Sequence, residues 1–128
     1  MKEIMTPEQL NEILPKICTR ETSQDPEGWT PDNPLWGHCA VVSLIAQDLF
    51  GGILMRASTD NGTHYWNKLD DDTDLDFTRI QFGEKMPDLL NIVIRERSYV
   101  LSFPETVKRY WLLKSRLNEN SPANSQAS

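Results

Sequence analysis

The chain has 128 residues and a mass of 14.7 kDa, enough for one domain that buries roughly two thirds of its unfolded surface without disulfides or structural metal. Its 38% hydrophobic and 25% charged residues are ordinary for a globular protein, which argues against global disorder. A net charge of −6 and a pI near 4.8 repel phosphate backbones and anionic lipid, so neither nucleic acid nor a membrane surface is the expected partner.

The start, Met1-Lys2-Glu3-Ile4, lacks the apolar run of a signal peptide, and the expected location is the cytoplasm. Residues 6–19 predict an amphipathic helix: Thr6 can cap, Pro7 suits the first helical position and Gln9 can complete a capping box. Leu10, Ile13, Leu14, Ile17 and Cys18 recur at the spacing of one buried face, and Pro15 is expected to kink or shorten the helix. Residues 21–35, punctuated by Pro26, Gly28, Pro31 and Pro34, read as a long shaped loop. Residues 40–50 are nearly all apolar and stop at Gly51-Gly52, which predicts a central helix buried on most sides.

Strand-like runs follow at 53–57, 63–69 and 73–77, divided by Asp60-Asn61-Gly62 and Asp70-Asp71-Asp72, the pattern of an antiparallel meander. Residues 79–91 are weakly patterned, and 92–94 are too few to assign. A last helix over 104–117 starts at Ser102 or Pro104, with Val107, Tyr110, Trp111 and Leu117 on one face and basic residues on the other. The polar stretch 118–128 is expected to be a disordered tail behind a single domain of residues 1–117. The expected fold class is α+β, a central helix packed on a small antiparallel sheet with a helix at each end.

Cys39 carries the strongest chemical signal. It stands at the first turn of the central helix, where unpaired N–H groups and the helix dipole favour a thiolate and can later hold an oxyanion. The alternative is a half-buried thiol packed beneath Trp36. Cys18, on the apolar stripe of the first helix, is expected to be a core residue and a free thiol. On an extended strand His64 and Trp66 share one face, and Tyr65 and Asn67 the other; His64 is a candidate base for Cys39. Asp76 lies across a hairpin from His64, suited to orient the ring, with Asp74 on the same strand face as a rival.

Asn33 is a candidate oxyanion donor, although turn chemistry also accounts for an Asn there. His38, Trp36 and Trp66 are expected to line the cleft. The Asp70 to Asp76 hairpin lacks calcium-loop spacing, and the scattered His and Cys lack zinc spacing, so neither a metal nor an organic cofactor is expected.

Several strings together resemble a known family: Trp36-Gly37-His38-Cys39-Ala40, Gly51-Gly52, His64-Tyr65-Trp66-Asn67, Asp76-Phe77-Thr78 with Gln81-Phe82, and the helix beginning Pro104-Glu105-Thr106. They look like the small bacterial YunG-like family over roughly residues 25–117, which implies a shared site rather than a named activity. The order of Cys at a helix start, His-x-Trp on a strand and Asp-x-Thr on the next is also similar to the transglutaminase-like branch of the papain-like superfamily. That likeness implies a papain-like core with Cys39 as nucleophile, His64 as base and Asp76 as orienter. Two departures stand out: that branch commonly has Gln where His38 stands, and the chain is much shorter than most transglutaminases.

The expected function is a thiol-dependent hydrolase or acyltransferase acting on a peptide or protein amide through a thioester on Cys39. Two other readings stand beside it. One is a catalytically inactive module of the same fold that binds a peptide or protein through the basic face of residues 108–116 and the acidic hairpin. The other is a thiol sensor using Cys39 alone.

Overall fold

The computed structural model describes residues 5–120. Helix α1 spans Pro7–Ile17 and begins at the anticipated cap, with the Gln9 amide N–H donating to Thr6 Oγ1 at 3.1 Å and the Thr6 N–H donating to Gln9 Oε1 at 2.8 Å. The helix runs past Pro15 and stops at Ile17, two residues short of the expected end at 19, in keeping with a ring that removes a donor and crowds the preceding turn. Leu10, Leu14, Ile17 and Cys18 are buried as their spacing requires.

The central helix α2, Cys39–Phe50, is buried along seven residues, from Cys39 through Ala46 with the exception of Ala40. Its end is set by two glycines of positive φ, Gly51 at 78° and Gly52 at 80°. A Cβ on Gly52 would run into the Lys68 carbonyl, so only glycine turns the chain into the sheet here.

Strands β1 (Ile53–Thr59) and β2 (Gly62–Lys68) form a hairpin with Asp60 and Asn61 at its tip. Strand β3 is only Asp74–Leu75, shorter than the 73–77 expected, and pairs with Asn67 and Lys68 alone. The chain leaves the sheet at Asp76 and enters a 3-10 turn at Arg79–Phe82. Strand β4, Leu90–Arg95, covers the segment that was too short to assign and pairs antiparallel with β1, giving the order β3-β2-β1-β4. A one-turn helix α3, Arg97–Val100, leads to α4, Pro104–Asn120.

Two expectations for α4 need correction. Trp111 is 58% exposed, and the inner face is Thr106, Tyr110, Leu113 and Leu117 instead. Trp111 directly follows Tyr110, a step of about 100° around a helix, so the two cannot share one narrow buried stripe. The helix also continues through Asn120, so residues 118–120 are not a tail. The rest of that expected tail, 121–128, lies outside the described residues, as does the start at 1–4.

One large core joins α1, α2, α4 and the α2-facing side of the sheet, including Leu54, with Phe77 added from the turn after β3. A small second cluster of Met55, Ala57 and Trp66 lies on the opposite face. The basic residues of α4 turn largely inward. Arg116 donates to the Ile17 carbonyl at 2.9 Å, closing the end of α1, and reaches Glu21 at 3.0 Å. Lys114 lies 2.8 Å from Asp48, which also pairs with Arg97 at 2.7 Å and accepts from the Tyr110 hydroxyl. No helix among the described residues is long and apolar enough to cross a membrane.

Candidate functional site

The Pro-rich segment before α2 delivers Cys39. The Ser23 hydroxyl donates to the Trp36 carbonyl at 2.7 Å, and the Gln24 N–H donates to the Gly37 carbonyl at 2.9 Å, stitching the two ends of the loop together. Gly37 has φ 76°, and a Cβ there would overlap the Ser23 hydroxyl. The glycine two residues before the thiol is thus fixed by both backbone and space.

Cys39 is 5% exposed and is the first residue of α2, so its own N–H has no partner within the helix. Its Sγ lies 3.7 Å from the Thr63 carbonyl, on β2. That approach depends on the shortness of β3, which pairs only with Asn67 and Lys68 and leaves the β2 edge at Thr63 and His64 to the end of α2. The register of helix on sheet is held by Asn67, 1% exposed, whose side chain donates to the Ser43 carbonyl at 2.9 Å.

His64 is fully buried, stacked on Trp66 with ring centroids 5.7 Å apart and met edge-on by Phe82 at 5.1 Å. Its Nε2 donates to Asp76 Oδ2 at 2.6 Å, while buried Nδ1 has no hydrogen-bond partner among the described residues. With Nε2 engaged, Nδ1 is the nitrogen left for the neighbouring Cys39. Burial alone would lower the ring's pKa. The hydrogen bond and charge of Asp76, helped by the neighbouring Cys39, outweigh it and raise the value to about 9. Asp74 instead contacts Lys68 at 3.1 Å and the Trp66 indole N–H at 3.3 Å. The carboxylate on the ring is therefore Asp76.

A cleft of about 470 Å³ opens over Cys39, walled by Trp36, Gly37, Thr63, Gln81 and Phe82. Trp36 lines it as expected, fixed by its indole N–H donating to Asp25 at 3.0 Å. Trp66 serves as a cover for the His64 ring. It is therefore not a wall of the cleft, and two further residues expected there, the wall residue His38 and the oxyanion donor Asn33, also lie elsewhere. His38 is completely buried, with Nδ1 donating to the Trp36 carbonyl at 2.9 Å and Nε2 facing the Thr22 hydroxyl at 2.7 Å. Burial lowers its pKa to about 4, so the ring is a neutral brace between loop and helix. Asn33 donates its side-chain N–H to the Gln81 carbonyl at 2.8 Å and so anchors the 3-10 turn rather than facing the thiol.

The residue missed from sequence is Gln81. It is 7% exposed; its Oε1 accepts the Gly37 N–H at 3.1 Å, and its Nε2, on the wall of the Cys39 cleft, is buried without a partner among the described residues. The signal lay in the Gln81-Phe82 pair, which belongs to the resemblance but has no periodicity to mark it. Among the described residues, no group of three or more His, Cys, Asp or Glu is placed to hold a metal ion.

The fold and site define a small α+β protein in which a helix-start thiol, a strand imidazole and a carboxylate converge at one sheet edge. The chain belongs to the YunG protein family, whose model matches residues 6–122. It is 33% identical over 75 residues to the uncharacterized protein YunG of Bacillus subtilis (strain 168), a match covering 59% of this chain. The chain spans 62% of the length of that curated relative. No solved structure matches.

Proposed function

We propose that the chain is a thiol-dependent amide hydrolase or acyltransferase of the papain-like, transglutaminase-like kind, with Cys39 as nucleophile, His64 as base and acid, and Asp76 as orienter. One observation carries the reading: a buried imidazole tied to a carboxylate at 2.6 Å, with its other nitrogen unpartnered among the described residues, neighbours a helix-start thiol. A ring held at about 9 keeps a proton at neutral pH, and an imidazolium together with the α2 dipole favours the thiolate. Supporting the same reading, two donors border the cleft, the Cys39 N–H and Gln81 Nε2.

The sulfur attacks the amide carbon, forming the S–C bond and moving the carbonyl π pair onto oxygen, where those two donors hold it. The oxyanion re-forms the carbonyl and expels the amine, which takes the proton from His64 Nδ1. Water or an acceptor amine then loses a proton to Nδ1 and attacks the thioester, and the sulfur leaves as thiolate. The reading of an idle binding module gains less support, because Lys114 and Arg116 of its supposed contact face are engaged within the fold.

The test is acyl transfer from p-nitrophenyl acetate, followed by intact mass. Wild type should release p-nitrophenolate with an acetyl group passing through Cys39 before water removes it, Cys39→Ala should carry none, and His64→Ala should acylate far more slowly. Equal acylation in wild type and His64→Ala overturns the reading.

A further inference from the structure

A second hollow, of about 460 Å³, adjoins the Cys39 cleft. The two share Gln24 and Thr63 as walls, and Ala40, the residue after the thiol, lines the second one. Arg56 and Arg109 reach it from β1 and α4, and Tyr65, Tyr99 and Phe103 supply its apolar sides. Tyr99 and Phe103 stand edge to face at 5.6 Å and remain 44% and 49% exposed.

Arg97 and Arg116 each meet a carboxylate, at 2.7 and 3.0 Å. Arg56 and Arg109 have no acidic partner within ion-pair distance among the described residues. Arg20, Arg79 and Arg95 also make no ion pair among the described residues; what sets Arg56 and Arg109 apart is that both line this one hollow, alongside Glu105. Arg56 donates to the Thr63 hydroxyl and Arg109 to the Thr106 hydroxyl, each at 3.2 Å, and Arg56 also engages the Tyr65 hydroxyl. Arg109 Nε is buried and has no hydrogen-bond partner. Half-buried guanidinium groups with unused donors are suited to an oxyanion, which they bind in a fork with planar geometry. Burial lowers the pKa of Arg109, while Glu105 and Cys39 oppose that shift by charge, so the guanidinium lies within electrostatic reach of the thiol.

We propose that this hollow is the substrate pocket of the Cys39 site, taking an acyl donor that carries an anionic oxygen group, carboxylate or phosphate, beside an aromatic or aliphatic portion. The inference rests on Cys39 being the nucleophile. The anion sits between Arg56 and Arg109, and the apolar portion lies against Tyr65, Tyr99 and Phe103. Its volume suits a small molecule or one or two residues of a peptide rather than a long chain. Desolvated charge-assisted contacts of this kind give discrimination against a neutral analogue of about tenfold.

The test compares two alkylating reagents that differ only in charge, N-bromoacetyl-phenylalanine and its carboxamide, with glutathione as the reference thiol and intact mass as the readout. After normalisation to glutathione, the carboxylate reagent should label Cys39 about tenfold faster than the carboxamide. Arg56→Gln with Arg109→Gln should bring that ratio down to the value for glutathione. Protection of Cys39 by phenylpropionate marks the anion as carboxylate, and protection by phenyl phosphate marks it as phosphate; either supports the pocket. A wild-type ratio equal to that of glutathione, with neither compound protecting, overturns it. Iodoacetamide separates the two readings: a labelling rate that depends on His64 alongside a flat charge ratio sinks the pocket and leaves the nucleophile standing. A rate indifferent to His64 sinks the nucleophile itself.

Discussion

His38 and His64 are both completely buried, yet burial has opposite outcomes at the two sites. His38 hydrogen-bonds only to neutral groups among the described residues, the Trp36 carbonyl and the Thr22 hydroxyl, and burial, aided by the positive charges of Arg109 and Arg116, takes its pKa down to about 4. His64 meets a carboxylate and a thiol, and its pKa rises to about 9. Desolvation acts downward on both rings. The sign is decided by whether a charge partner is buried with the ring. One ring is thereby a fixed brace, and the other is equipped to hold and release a proton.

The largest expected effect tests the reactive half of this contrast. In His64→Ala, alkylation of Cys39 by iodoacetamide at pH 7 should slow roughly 100-fold, the usual size of a lost acid-base partner. Cys18 serves as the control: burial pushes its thiol up to about 12, although Arg116 pulls the other way, and it should stay unlabelled in the folded protein. Fast labelling of Cys18, or a rate at Cys39 that ignores His64, would break the contrast.

Asp76→Asn sharpens it by removing the charge while keeping the shape. Labelling of Cys39 should fall about tenfold, and unfolding should become easier by about 2 kcal/mol, the scale of a hydrogen bond to a charged group. His38-dependent properties should not move.

The two rings also predict opposite limbs in a plot of stability against pH. A ring near 6.5 when unfolded and about 4 when folded contributes stability that is complete above 6.5 and is lost as pH falls toward 4. A ring raised from 6.5 to about 9 contributes stability that is complete below 6.5 and is lost as pH rises through 9. Thermal unfolding between pH 4 and 10 should therefore lose part of its acid slope in His38→Gln and part of its alkaline slope in His64→Gln. Identical curves for the two variants would refute the assignment. The smallest effect is expected for Thr22→Val, which removes the hydroxyl on His38 and should cost about 1 kcal/mol by chemical denaturation, with Cys39 labelling unchanged.

Much of the framework was legible along the chain. Thr6 and Gln9 announced the start of α1, the apolar run and Gly51-Gly52 bounded α2, and Asp60-Asn61 marked the first hairpin. Each of these features acts within a few residues, where capping geometry, backbone freedom and side-chain periodicity operate directly. Strand β4 was left unassigned because Ile92 to Ile94 is a short continuous apolar run without apolar-polar alternation. Trp111 was misplaced because hydrophobicity says nothing about which side of a helix its neighbours will cover.

The site divides in the same way. Cys39, His64 and Asp76 could be singled out because a helix start, a strand position and the following hairpin are local properties. Choosing Asp76 over Asp74 needed the coordinates, since only the end of β3 decides which carboxylate turns toward the ring and which toward Lys68. The exchange of roles between Asn33, His38 and Gln81 is likewise nonlocal: a contact between residue 37 and residue 81 leaves no periodic trace in either segment. By itself the sequence determined where α1 and α2 begin, where α2 stops and where the first hairpin turns, because those follow from short-range sterics and hydrogen bonding. Only the tertiary structure decided which buried polar groups face one another, because that depends on how α2 meets the edge of a sheet whose outer strand stops after two residues.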